Sequence, residues 1–505
     1  MEQMEGARPR PSAPAAAALA AVLAVFLATR VAMVVRLPWF IDEGTHGRFT
    51  RDLAHDLHRG FESLTIAKEP LAIWIASVFA RLGFTPMTAT RLVSVLGGLL
   101  TLAMVGLISR RLAGDGPALA AMALYALLPL YVVHDGVGIM DPLLTGLMTT
   151  ALYLQMELAR RPRLAPALGL AAAMGLGLLT KEGAKATVLL LPLSLLCFDW
   201  RAPELRRRLA RWAAFAALGL AGALAGWLAL RSSSLWKHAE VIRNVPLLYP
   251  VRDVGDALAH PWRWTRENWP VYRDTLTGYV TLPIAAAALG GFVLLLRERR
   301  GPALVLGGWL AALLAAALLL PISPYPRHAL FLVPIVLVCA GVGLGRGARA
   351  LHRRLGGSGP GPALATAAAL ALVLAPALVR DWRIVSHPAT AHYPGRDDVQ
   401  YVTGVQAGSP WPRVSRLVRE RTRPGEPVIR SRLAPEVLDL LLEGRNPFVF
   451  ADRRAARRAH LLVRDELPFP DPAGDRVLAG GGFREIATVR RPRGGAVVRV
   501  YVRGR

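Results

Sequence analysis

Two carboxylates and a lysine near the start of the chain have the types and spacing for chemistry. Asp42 and Glu43 follow Trp39-Phe40-Ile41, directly after a long apolar run. Adjacent acids at the mouth of a membrane helix are costly unless they bind something, which marks both as candidate catalytic groups. Further on, Lys68-Glu69-Pro70 precedes the apolar run Leu71 to Phe79. Proline fits the first turn of a helix, so Lys68 stands just before a helix N-terminus. A helix dipole and an ammonium pointing the same way make an anion site suited to phosphate. Lysine is scarce: of 61 basic residues only Lys68, Lys181, Lys185 and Lys237 are lysines. A drift toward arginine leaves lysine mainly where lysine itself matters.

The elements that must position these groups are membrane helices. The 505 residues are 53% hydrophobic and 19% charged, with a mean hydropathy of +0.36. Apolar runs of the length that crosses a hydrocarbon core recur, and only helices satisfy their own backbone there. Eleven spans are expected, near 14–37, 86–109, 117–134, 141–159, 164–180, 183–199, 210–230, 274–296, 302–320, 328–345 and 362–379. The first follows Arg8 and Arg10, is too long for a signal-peptide core, and reads as an uncleaved helix.

The net charge of +26 comes largely from arginines in short loops between spans: Arg110 and Arg111, Arg160, Arg161 and Arg163, Arg206 to Arg208, Arg297 to Arg300, Arg346 to Arg354. That is the positive-inside pattern and not a nucleic-acid groove, which would interleave basic and aromatic residues. It places the N-terminus in the cytoplasm and, with an odd number of spans, the C-terminus outside. All four lysines then fall on the outer side. Cys197 and Cys339 lie in apolar spans and offer no disulfide framework or metal spacing.

Three segments stand outside the spans. The first outer loop, 38–85, carries Phe49, Leu53 and Leu57 at spacing four, with Arg48, Arg51, Asp52 and Asp56 on its other faces. This predicts an amphipathic helix on the outer interface, on which His46, His55 and His58 are solvated. A second outer loop, 231–273, holds Trp236, Trp262, Trp264 and Trp269, the mark of an interfacial belt. The tail, 380–505, alternates helix and strand patterns: helices at 414–422 and 435–442, strands at 427–429, 448–451, 460–463 and 496–502. It reads as a small extracytoplasmic α/β domain beside a membrane domain, 1–379.

The order apolar span, Asp-Glu, interfacial helix, Lys-x-Pro, second interfacial helix resembles the GT-C membrane glycosyltransferases, in particular glycosyltransferase family 39, with its protein O-mannosyltransferases and lipid A aminoarabinose transferase. Met140-Asp141-Pro142 resembles the family's second acidic site. Leu179-Thr180-Lys181-Glu182-Gly183 resembles its Leu-Thr-Lys-Gly turn, and Tyr325-Pro326-Arg327-His328 through Pro334 its basic-aromatic segment. The likeness covers roughly 14–345. Three positions depart from it: Ala67 and Glu69 flank Lys68 where the aminoarabinose-type pattern has Glu and Pro, and a third follows Asp135. His134-Asp135-Gly136 lacks the Arg that often follows the Asp.

The resemblance implies a transferase that uses a polyprenyl-phosphate sugar facing outward, and the Arg- and Ala-heavy usage fits a GC-rich bacterium and its cytoplasmic membrane. Its acceptor would be a glycan, a lipid or a protein. Asp42, with Glu43, would be the catalytic acid pair, deprotonating the acceptor or helping to bind a divalent ion. Lys68, Arg327, His328 and Lys181 would hold the donor phosphate, and Asp141 and Asp135 would form a second acidic site, with Asp141 a further candidate metal ligand. Each motif also has a plain structural reading: Asp141-Pro142 as a helix cap, the lysines and Arg327 as interfacial anchors. The competing functions are a transporter or flippase of lipid-linked sugars and an envelope polysaccharide polymerase or ligase. Against the first, the chain shows no internal repeat, and its charges gather at one face, not at mid-bilayer.

Overall fold

The computed structural model describes residues 13–201, 203–243, 255, 259–320, 324–354, 361–430, 435–450, 459–465, 471–480 and 482–504. Arg8, Arg10, Ala451 and part of the second outer loop lie outside them.

The chain is a helical bundle with a small α/β domain seated on one end. Arginine contacts define the opposite end. Arg111 pairs with Glu157 at 2.8 Å, Arg208 donates to the Arg160 carbonyl at 3.1 Å, and Arg346 to that of Leu112 at 3.3 Å. Helical segments at 13–36, 86–113, 115–134, 141–160, 164–180, 182–199, 205–231, 282–298, 300–319, 333–354 and 361–386 overlap the eleven expected spans. Six are helices long and apolar enough to cross a membrane on those grounds alone: Ala13–Arg36 (α1), Pro86–Ala113 (α4), Leu205–Arg231 (α10), Arg300–Leu319, Val333–Arg354 and Gly361–Ser386.

Others differ from the expectation in form. The pass at 115–134 is broken into Asp115–Ala126 (α5) and Pro129–His134 (α6), because Pro129 has no N–H to continue the first helix. The pass at 183–199 is a short helix, Lys185–Leu189 (α9), followed by a 3-10 stretch, Leu191–Cys197, around Pro192. The expected span 274–296 begins only at Leu282, since Pro261–Val280 lies across it at a bend of 92°. The last helix runs to Ser386, past the expected domain boundary at 379.

Small residues let helices approach. Asp141–Arg160 (α7) packs on α4, and Leu164–Thr180 (α8) on α10, where a Cβ on Gly226 would lie 2.5 Å from the Gly175 carbonyl oxygen.

The C-terminal domain holds a five-stranded sheet in the order β2-β1-β3-β5-β4. Its strands are β1 Val428–Arg430, β2 Phe448–Phe450, β3 Leu461–Asp465, β4 Phe483–Arg490 and β5 Val497–Arg503. β1 is parallel to β2 and β3, and β5 is antiparallel to β3 and β4. Four strands and the helices Trp411–Arg421 and Pro435–Leu442 fall where the sequence predicts them. β4 does not: it is an edge strand with only Val489 buried, so it carries no clean alternation.

Candidate active site

The first outer loop folds into helix Ile41–His55 (α2), a 3-10 turn Glu62–Ile66 and helix Leu71–Arg81 (α3). The interfacial helix expected here is present, but its surroundings differ. Phe49 and Leu53 bury against the bundle, while Leu57 lies beyond the helix end and is exposed. The polar side is covered by the C-terminal domain, where Arg51 pairs with Asp439 at 2.9 Å. α2 is thus held between the bundle and the C-terminal domain.

Asp42 and Glu43 sit in the first turn of α2 and point to different tasks. Glu43 is fully buried. One oxygen accepts from the Phe40 N–H at 2.8 Å and the other from the Gly138 N–H at 2.6 Å, and Arg91 grips both at 2.7 and 2.8 Å. Arg91 also donates to the carbonyls of Val34 and Leu37. Glu43 ties α2 to α4 and to the loop before α7, and leaves no oxygen for a substrate. Asp42 is partly exposed and meets Arg327 at 3.1 Å.

The other expected residues converge on Asp42. After the 3-10 turn, Ala67 adopts a left-handed φ of 57°, an uncommon conformation for a residue with a Cβ, and it swings Lys68 out ahead of Pro70, the N-cap of α3. Among the described residues Lys68 has no ion pair or side-chain hydrogen bond, and its charge acts on Asp42, His46 and His328. Asp141 opens α7, with Pro142 in its first turn, and holds Lys181, the C-cap of α8, at 2.7 Å. Arg327 and His328 lie in the 3-10 turn Pro326–Ala329 before the span Val333–Arg354. Arg327 sits between the rings of Tyr325 and Phe40, at 5.2 and 5.9 Å, and its buried Nε has no partner among the described residues.

The electrostatics follow from this crowding. Burial alone would raise the Asp42 pKa, but the charges of Arg327, then Lys68 and His46, outweigh it and hold the carboxyl below its ordinary range. Burial, then Lys181 and Arg327, push His328 down to about 3, so its imidazole is neutral. Lys68, Lys181 and Arg327 therefore face Asp42 and Asp141, and one positive charge remains in excess.

Asp135 is not part of this cluster. It is buried in the bundle, paired with Arg30 at 3.1 Å and hydrogen-bonded by Tyr125 at 3.2 Å. Its neighbour His134 meets Asp397 at 3.2 Å.

Two residues near the site are not flagged by the sequence reading. His46, expected to be solvated, is buried, with Nδ1 2.9 Å from the Gly138 carbonyl. Its place four residues after Asp42 is the signal, since that spacing shares a helix face. His55 and His58 are exposed, as expected. Tyr401 packs on Phe40 with ring centroids 5.3 Å apart and interacts with Arg327. It comes from the tail, and no local pattern announces it.

Asp42 and Asp141 are each bound to a cation, and no group of three or more His, Cys, Asp or Glu is arranged to hold an ion among the described residues.

Comparison with known proteins bears on this geometry. Residues 67–227 match the family model described as dolichyl-phosphate-mannose-protein mannosyltransferase, a segment that contains Lys68, Asp141 and Lys181. The fold is similar to that of AglB from Archaeoglobus fulgidus, an archaeal oligosaccharyltransferase solved with an inhibitory peptide and a dolichol-phosphate. The TM-score is 0.53 and the identity 12%, over 88% of this chain and 69% of AglB. What these likenesses show for the chain is its fold, with several helices long and apolar enough to cross a membrane. The fold is also similar to that of ArnT from Cupriavidus metallidurans over nearly its whole length. The apo form gives a TM-score of 0.62 at 17% identity, over 97% of this chain and 98% of ArnT. The form bound to undecaprenyl phosphate gives 0.61 at 18%, over 96% and 97%. No curated protein sequence matches the chain significantly.

Proposed function

We propose that this protein transfers a sugar from a polyprenyl-phosphate donor to a hydroxyl of a glycan, lipid or protein acceptor, at the outer face of a bacterial cytoplasmic membrane. The observation that carries the reading is the convergence of Lys68, Lys181 and Arg327, with positive charge in excess, beside the Asp42 carboxylate. The outward placement is supported by the arginine-rich loops at the opposite end of the bundle. The ArnT structure with undecaprenyl phosphate bound supports the donor class.

In the transfer, the acceptor oxygen bonds to the sugar's anomeric carbon as the bond from that carbon to the phosphate oxygen breaks. The electron pair leaves with the polyprenyl phosphate, and the acceptor proton goes to Asp42. Lys68, Lys181 and Arg327 lie where negative charge grows on the leaving phosphate, so they stabilise the transition state more than the bound donor. An incoming phosphate competes with Asp42 for Arg327. As that ion pair loosens, burial raises the proton affinity of Asp42 and makes it a better base. His46 and the neutral His328 supply polar edges without adding charge.

The test is release and transfer of label from a radiolabelled polyprenyl-phosphate sugar by the purified protein in lipid vesicles. Transfer that depends on Asp42 supports the reading. Movement of the labelled lipid across the bilayer with its sugar bond intact would instead indicate a flippase.

A further inference from the structure

Two of the four lysines are followed by glutamate: Lys68-Glu69 and Lys181-Glu182. Lys181 faces the site through Asp141, and Lys68 acts on Asp42. Both glutamates bind one arginine instead. Arg243 Nη2 lies 2.7 Å from Glu69 Oε1, and Arg243 Nη1 lies 3.4 Å from Glu182 Oε1. Arg243 is the last residue of the short helix Trp236–Arg243 (α11) in the second outer loop, and its guanidinium sits 4.9 Å from the centre of the Trp236 ring. Arg243 and Glu69 are 4% and 3% exposed, so the contact is shielded from water. Glu182 has a second cation in Lys185, at 3.3 Å.

We propose that Arg243 is a positioning residue that sequesters the Glu69 and Glu182 carboxylates and so keeps the Lys68 and Lys181 ammoniums available to the donor phosphate. The inference rests on the phosphate site proposed above. Glu69 lies where water barely reaches, and without a stronger partner its carboxylate is drawn to the neighbouring Lys68 charge, while the more exposed Glu182 is shared with Lys185. A guanidinium is that stronger partner, because its fork serves two carboxylates at once where an ammonium is a point charge. The charge balance agrees. Lys68, Lys181, Lys185, Arg243 and Arg327 face Asp42, Asp141, Glu69 and Glu182, and removing Arg243 cancels the positive excess. The helix α11 thereby supports the phosphate site through Arg243.

The test uses the full-length protein in detergent and compares the binding of undecaprenyl phosphate with that of undecaprenol, which has the same tail and no phosphate, by native mass spectrometry. Arg243→Gln should weaken undecaprenyl phosphate about tenfold, the scale of one lost charged contact, and leave undecaprenol unchanged. Adding Glu69→Gln and Glu182→Gln should bring the phosphate lipid back to within about threefold of wild type. The proposal is overturned if Arg243→Gln keeps the wild-type preference, weakens both lipids alike, or is not rescued by the two neutral glutamines. Should Arg243→Gln not fold, the Glu69→Gln/Glu182→Gln double variant decides: a preference kept or increased supports the proposal, and a fall overturns it. A Lys68→Ala/Lys181→Ala variant separates the two levels. If it binds like wild type, the phosphate site itself is misplaced. If it loses the preference while Arg243→Gln keeps it, only the role of Arg243 fails.

Discussion

Buried charge is used in two ways in this protein. Inside the bundle, Arg91 with Glu43 and Arg30 with Asp135 are closed pairs. Arg91 binds both Glu43 oxygens, the remaining carboxylate contacts go to backbone N–H groups or to Tyr125, and both arginines also donate to carbonyls. At the end of the bundle that carries the C-terminal domain, Lys68, Lys181 and Arg327 outnumber Asp42 and Asp141, and Lys68 has no partner among the described residues. A closed pair fixes helices relative to one another. An open, charge-unbalanced cluster is arranged to receive an anion. Asp42 and Glu43, neighbours in sequence, stand on opposite sides of this division.

The largest expected effect breaks a closed pair. Arg91→Met leaves Glu43 buried without its cation, and removing one partner of such a pair costs about 3–5 kcal/mol. Thermal unfolding in detergent should show a large fall, with activity lost in proportion to folded protein. Next is Asp42→Asn, which should lower turnover at least about a hundredfold, the scale of general-base loss, at nearly wild-type unfolding temperature. Near-normal turnover in that variant would remove Asp42 from the chemistry, whereas a loss of stability would move it among the closed pairs.

A smaller effect tests the electrostatics. Arg327 holds the Asp42 pKa down, so in wild type the acid limb of kcat/KM should lie below the usual aspartate value of about 4. The carboxylate form needed for catalysis is lost only as pH falls through that lowered value. Arg327→Gln removes the main opposing charge and leaves burial dominant, so the limb should move up by about one unit or more. A limb that does not move would mean that another group sets it. The smallest effect concerns docking. A Cβ on Gly44 would come within 2.8 Å of the Val437 backbone nitrogen, so Gly44→Ala should loosen the C-terminal domain over α2. Limited proteolysis should detect this as faster cleavage near 387–410, with turnover reduced only severalfold.

The two regions also differ in how far the sequence announces them. The spans are legible because hydrocarbon leaves the backbone no option but helix, and arginine placement reveals which loops share an end. Lys68, Asp141, Lys181 and Arg327 are legible because lysine is rare here and each stands beside a proline or a helix terminus. The division between Asp42 and Glu43 is not, since adjacent acids look alike until Arg91, 48 residues away, is seen to bind only one of them. Asp135 illustrates the same limit: a carboxylate at a helix end reads as functional until its buried arginine is found. The tail's contribution, Tyr401 on Phe40 and Asp397 on His134, depends on a return of the chain into the bundle that no local pattern encodes.

A structure of the protein with undecaprenyl phosphate bound tests the open cluster most directly. The phosphate should lie within hydrogen-bond reach, about 2.7–3.2 Å, of the Lys68 ammonium and the Arg327 guanidinium. The Asp42–Arg327 contact should be longer than its present 3.1 Å. The Glu43–Arg91 pair should be unchanged. A phosphate bound elsewhere, with Lys68 still unpartnered and the Asp42–Arg327 bridge intact, would contradict the assignment of this cluster as the donor site.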